Sequence, residues 1–173
     1  MIQTAIILCG GRGRRLGVLG DKSPKIMTNV NGFPILWYTI INLYKSGIKH
    51  FILPLGYKGE QIQAYIDKNF NQLNVRIDAI FTGIETPIGK RIHMIRHLIT
   101  KDPFLMVNGD CLFDFSIKRF FKKHNDNKYL ATLATCEIIS QYGLILVKSN
   151  EVISFSRNSR IKSFVVRHEN DNV

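Results

Sequence analysis

Gly10, Gly11 and Gly13 alternate with Arg12, Arg14 and Arg15, and Ser23-Pro24-Lys25 closes the stretch. Glycine removes side chains where a backbone must approach a ligand, and it tolerates positive φ, so successive N–H groups can converge on an anion. The arginines supply positive charge. Residue types in this order are those of a phosphate-binding loop. Further along, Asn108-Gly109-Asp110 sets a carboxylate on a second glycine turn.

Both turns need elements to hold them. The apolar run at residues 6–9 has the character of a strand buried on both faces, so the loop follows the carboxyl end of a first strand. Pro34 opens a helix over 35–46 with Leu36, Ile40, Leu43 and Tyr44 on one face, and Gly47 stops it. A second strand covers 48–55, and a helix over 60–69 carries the stripe Ile62, Tyr65, Ile66 and Phe70. Residues 75–81 alternate as a strand, and a third helix starts near Gly89 with Ile92, Ile95 and Ile99 on one side. A short buried strand at 104–107 leads into Asn108-Gly109-Asp110, and Ser116 caps a fourth helix marked by Ile117, Phe120 and Phe121. Residues 129–139, 143–148 and 152–155 are expected strands. Four alternations of strand and helix predict an α/β fold: a Rossmann-like, mostly parallel sheet with helices on both faces. Ligands of such sheets bind beyond the carboxyl ends of the strands, where both glycine turns fall.

The 173 residues fit one domain, and 45% hydrophobic with 21% charged content is that of a globular chain. Twenty-four Lys and Arg against 13 Asp and Glu give a net charge of +11, which suits a polyanionic partner or a generally basic solvated surface. Nucleic acid is disfavoured as that partner, because no aromatic series interleaves the basic residues. Cys9, Cys111 and Cys136 are scattered and read as reduced thiols. The apolar start lacks a basic n-region and is too short to span a bilayer, so neither a signal peptide nor a membrane segment is expected, and the protein is expected to be cytoplasmic. His93 and His97 lack the intervening glutamate of a zinc motif.

Two common phosphate loops fail against residues 10–16. The third glycine of G-x-G-x-x-G would fall on Leu16, with no acidic residue at the end of the second strand, and no Gly-Lys-Ser/Thr follows for a P-loop. What matches is G-G-x-G-x-R-L followed by Pro24-Lys25 and, later, Gly109-Asp110. In these motifs the chain resembles the sugar-phosphate nucleotidyltransferases, with Cys9 and Arg14 standing where that family has alanine and threonine. Within the family, Pro34-Ile-Leu-Trp-Tyr38, Gly47-Ile-Lys, Gly56-Tyr-Lys-Gly59, and Thr82-Gly83 followed by Gly89-Lys-Arg91 are most similar to glucose-1-phosphate cytidylyltransferases. Heptose- and mannose-1-phosphate guanylyltransferases share many of these features.

The resemblance implies a nucleotide-diphospho-sugar transferase fold in one domain over 1–173, with a nucleotide-binding half at 1–115 and a partial sugar-binding half at 116–173. It implies nucleotidyl transfer from a nucleoside triphosphate, CTP favoured and GTP next, to a sugar 1-phosphate, with release of pyrophosphate and formation of an activated sugar for polysaccharide synthesis. The attacking oxygen is already anionic, so catalysis rests on positioning and electrostatics. Arg15 would hold the β- and γ-phosphates, and Lys25 would bridge the α-phosphate and the sugar phosphate. Gly10, Gly11 and Gly13 would present backbone to the nucleotide, Leu8 would flank the base, Gly89 would approach the base or ribose, and Arg91 would add charge for the phosphates. Asp110 would ligate Mg²⁺, a hard cation suited to carboxylate and phosphate oxygens. Tyr142-Gly143 would lie in the sugar pocket. Arg12 and Arg14 read as solvated loop charges. Two departures accompany the match: Ser156-Arg157-Asn158 stands where the family places a Glu-Lys pair, and the family's second metal-binding aspartate lies past Val173. A truncated, catalytically inactive nucleotide-binding or regulatory module is the alternative. The resemblance leaves a homo-oligomer open.

Overall fold

The computed structural model describes residues 2–11, 23–99, 103–139, 142–157 and 160–161. Arg12, Gly13, Arg14 and Arg15 lie outside the described residues. The chain divides into two compact units, 1–128 and 129–173.

The first unit is built on four parallel strands in the order β5-β4-β1-β6. They are β1 (Thr4–Leu8), β4 (His50–Leu55), β5 (Arg76–Phe81) and β6 (Leu105–Asn108), with the short hairpin β2 (Asn29–Val30) and β3 (Phe33–Pro34) between β1 and β4. Helices α1 (Ile35–Lys45), α2 (Gly59–Asn69), α3 (Ile88–Met94) and α4 (Ile117–Asp126) follow the strands in turn. The expected parallel α/β sheet is present.

Successive strand residues feed opposite faces, and the two sides of the sheet show this directly. Ala5, Ile7, Phe51, Leu53 and Leu55 join Leu36, Ile40 and Leu43 of α1, Ile62 and Ile66 of α2 and Ile117 of α4 in the larger core. Ile6 and Ile52, pointing the other way, pack with Ile95 and with Leu8, Ile80, Leu98 and Ile99. Helix α4 begins at the expected cap, where the Ser116 hydroxyl accepts a hydrogen bond from the Arg119 N–H.

The expected third helix is two pieces. After α3, a 3₁₀ turn runs over Arg96–Leu98, and Ile95 between them is fully buried. Register brings strand ends level: Leu8 pairs with Asn108, and Leu55 pairs with Phe81. Residues 9–11, 56–57, 82–86 and 109–111 therefore leave the sheet along one edge.

The second unit contains the antiparallel hairpin β8 (Leu144–Lys148) and β9 (Glu151–Ser156), joined through Ser149 and Asn150 at positive φ, and a pairing of β7 (Ile138–Ile139) with β10 (Arg160–Ile161). The strand expected over 129–139 is confined to Ile138–Ile139. Leu130 and Leu133 are solvent-exposed, so the apolar residues that signalled a strand here have no sheet face to bury against.

Candidate functional site

Lys25 and Asp110 meet. Pro24 fixes φ at −59° and starts a 3₁₀ turn at Lys25–Met27, whose Ile26 side chain is buried. On the other segment, the Gly109 N–H donates to Leu8 O at 2.9 Å and so ties the turn to the end of β1. A Cβ on Gly109 would overlap Ile26 Cδ1 and come within 2.9 Å of Leu8 O. The absent side chain at Gly109 is thus the space that Ile26 fills, and that packing sets Lys25 beside the next residue. Lys25 Nζ lies 2.6 Å from Asp110 Oδ2. Both side chains remain partly open to solvent. The hydrogen bond from Lys25 lowers the Asp110 carboxyl below its ordinary value, against a smaller opposing effect of burial. Helix α1 holds the same turn from behind: Thr39 Oγ1 donates to Gly109 O at 3.4 Å, and Asn42 Nδ2 donates to Phe113 O at 2.9 Å.

The glycine loop is anchored from its other side by Arg91, a buried residue with 5% of its surface exposed. Nε donates to Thr86 O at 2.9 Å; Nη1 donates to Leu55 O at 2.9 Å and Thr82 Oγ1 at 2.6 Å; Nη2 donates to Gly10 O at 3.2 Å and Ile84 O at 3.0 Å. These are all the N–H groups a guanidinium has. In this structure Arg91 is spent on protein oxygens, so it braces the loop in place of the direct phosphate contact expected of it. Burial lowers its pKa, and the group stays cationic at neutral pH. A Cβ on Gly10 would sit 2.5 Å from Arg91 Cζ, so the guanidinium requires glycine there.

Leu8 closes β1 and packs against the smaller core, while Gly11 is exposed. Gly89 is exposed on α3, and a Cβ there would meet no atom within 4 Å. Cys9 is buried, its Sγ 3.8 Å from Pro54 O, and burial pushes its thiol up to about 12 despite the nearby Arg91 charge. Tyr142 and Gly143 belong to the second unit; Tyr142 is exposed, and a Cβ on Gly143 would overlap the Phe155 ring. Among the described residues no group of three or more His, Cys, Asp or Glu could hold a metal ion. Asp110 is a single carboxylate, and a hard cation there would complete its shell with ligand phosphates and water.

Sequence reasoning missed Ile26, Gly56, Thr82 and Thr86 as parts of this edge. Thr82-Gly83 and Gly56 carried a motif signal, whereas nothing local marks a threonine as an acceptor for an arginine five or nine residues on.

A parallel sheet with a glycine loop, a Lys–Asp pair and a buried arginine beyond its strand ends defines an α/β protein of the ligand-at-the-strand-end class. The chain belongs to the nucleotidyl transferase family, whose profile matches residues 4–165. It is 29% identical over 175 residues to a probable glucose-1-phosphate cytidylyltransferase of Bacillus subtilis (strain 168), covering 90% of this chain and 68% of that protein. It is 31% identical over 153 residues to the D-glycero-alpha-D-manno-heptose 1-phosphate guanylyltransferase of Aneurinibacillus thermoaerophilus, covering 87% and 66%. Among solved structures it is similar to HddC from Yersinia pseudotuberculosis complexed with GMP-PN, at 25% identity and a TM-score of 0.65, covering 92% of this chain and 71% of that one. The chain thus spans about two thirds of the length of these relatives. Among the described residues no helix is long and apolar enough to cross a membrane.

Proposed function

We propose that the protein transfers a nucleotidyl group to a sugar 1-phosphate, with CTP the favoured donor and GTP next. The observation that carries this is the 2.6 Å pair of Lys25 and Asp110 on the same sheet edge as the Gly10-Gly11 loop. A phosphate oxygen of the sugar attacks the α-phosphorus in line; the new P–O bond forms as the bond to the bridging oxygen breaks, and pyrophosphate leaves with that electron pair. Lys25 is cationic and partly exposed, placed to draw two polyanions together and to hold the α-phosphate against the incoming phosphate. Gly10 and Gly11 present backbone to the nucleotide, and Leu8 and Gly89 border the base. Arg15 and Gly13, outside the described residues, are assigned the departing phosphates and loop backbone from the motif alone. Tyr142 and Gly143 are assigned to the sugar.

Asp110 would hold a divalent cation, Mg²⁺ in this proposal, with the rest of its shell left to ligand oxygens and water. Bound there, such an ion supplies neutralisation of phosphate charge. Lys25, partly exposed, would turn from Asp110 to the phosphates. CTP is favoured over GTP because the Thr82-Gly83 and Gly89-Lys90-Arg91 blocks match the cytidylyltransferase pattern. The free thiols of Cys9, Cys111 and Cys136 suit a reducing compartment and support a cytoplasmic enzyme making activated sugars for a polysaccharide.

The test is pyrophosphate release over four nucleoside triphosphates and a panel of sugar 1-phosphates, with Mg²⁺ present. Release with CTP above the other three is the expected result. Nucleotide binding without release with any sugar supports the binding-module alternative, and absence of both sinks the proposal.

A further inference from the structure

The Gly10 carbonyl is held twice. It accepts from Arg91 Nη2 at 3.2 Å and from the Tyr57 N–H at 3.3 Å. In a planar trans peptide the carbonyl and the next N–H point to opposite sides. With Gly10 O turned toward Arg91, the Gly11 N–H is turned away from it. Gly11 itself is exposed, and among the described residues a Cβ there would meet nothing within 4 Å. One side of this peptide is therefore locked to the protein, and the other is turned away from those partners, at an exposed residue.

The lock is built from several chain segments. Arg91 sits on α3 and spans Gly10 after β1, Leu55 at the end of β4, and Thr82, Ile84 and Thr86 after β5. Leu55 O also accepts from the Thr82 N–H at 2.9 Å and Thr82 Oγ1 at 2.7 Å, which orients the hydroxyl that receives Arg91 Nη1. Gly56 completes the fit, since a Cβ there would lie 2.7 Å from Arg91 Nη1. Only a planar fork can reach so many acceptors at once; an ammonium has three donors on one atom.

We propose, resting on the nucleotide-binding role given above, that Arg91 is a positioning residue: by holding Gly10 O it aims the Gly11 N–H at a phosphate oxygen of the nucleoside triphosphate. Arg91 acts through the Gly10–Gly11 peptide and does not touch the nucleotide. A backbone donor fixed in advance needs no reordering when the anion arrives, which is the origin of its value for binding and catalysis.

The experiment uses the ¹⁵N-labelled full chain titrated with CTP and Mg²⁺, following the Gly11 amide resonance and the dissociation constant together. In the parent protein the nucleotide displaces the Gly11 resonance. Arg91→Lys keeps the charge but not the fork; it weakens CTP binding about tenfold and abolishes the Gly11 displacement, as expected for loss of a charge-assisted set of bonds. Thr82→Val removes one acceptor while leaving the arginine, and weakens binding about threefold, whereas Thr82→Ser restores the parent value. This pair decides the matter if Arg91→Lys does not fold. Undiminished affinity with an unchanged Gly11 displacement in Arg91→Lys or in Thr82→Val overturns the proposal and leaves the nucleotide role intact. A parent protein that binds none of the four triphosphates overturns the nucleotide role, and the proposal with it.

Discussion

Lys25 Nζ and Asp110 Oδ2 are 2.6 Å apart because Ile26 packs where Gly109 has no side chain. The cation of one motif and the carboxylate of another are joined by the packing of their immediate neighbours. Lys25→Ala is expected to lower pyrophosphate release about 10²–10³-fold, the loss typical of one electrostatic donor, with a smaller change in nucleotide affinity. Steady-state kinetics beside calorimetric binding separates the two. In the free protein, Lys25→Met leaves Asp110 without that partner, so calorimetry should show Mn²⁺ binding more tightly than to the parent. Equal Mn²⁺ affinity would show that the pair does not compete with a cation.

Gly109→Ala tests the packing that makes the pair. The added methyl overlaps Ile26 Cδ1 and approaches Leu8 O, which is backbone and cannot swing aside. Overpacking of this kind costs about 1–3 kcal/mol. Urea denaturation should show that loss, and turnover should fall with it as Lys25 is pushed from Asp110. In an Ile26→Ala background the added methyl has more room, so the two substitutions should be less than additive.

At the amino end of the strands, the acid limb of stability has an identifiable contributor. Burial raises the Asp78 carboxyl, but hydrogen bonds from His50 Nε2 at 2.7 Å and Arg76 Nε at 2.9 Å outweigh it, and the net shift is downward. A depressed folded value means the unfolded state binds the proton more readily in acid. The contribution is fully present above the unfolded carboxylate value, about 3.9, and is lost as pH falls through the folded value. Melting temperature followed from neutral pH into acid should fall less steeply in Asp78→Asn than in the parent. Identical slopes would remove Asp78 from the account.

Thiol reactivity should separate the cysteines. Cys111 and Cys136 are exposed and Cys9 is buried, its thiol pushed up to about 12. Because the thiolate is the reactive form, an aromatic disulfide reagent should modify Cys111 and Cys136 rapidly in the native protein and reach Cys9 only with denaturant. Fast modification of Cys9 in the native state would mean the loop beside Arg91 opens readily.

The sequence by itself determined the elements and the kind of loop. Continuous apolar runs and helical stripes are local signals, so the four parallel strands and their covering helices followed from residues such as Ile6, Ile52, Leu36 and Ile62. The strand expected over 129–139 failed for the matching reason: β-forming residues specify a strand only where another strand and a buried face receive them, and exposed Leu130 and Leu133 have no such face. Glycine and Pro-Lys motifs also marked the sheet edge on which the proposed phosphate chemistry rests. Tertiary structure decided which side chains meet and which way they face. Arg91 is one cation among many in the sequence, yet its acceptors lie after three different strands: the Gly10, Leu55, Ile84 and Thr86 carbonyls and the Thr82 hydroxyl draw it inward. Lys25 reaches Asp110 only because a distant glycine leaves room for Ile26. Such contacts depend on backbone approach between segments far apart in the chain, and no periodicity or local motif encodes that distance.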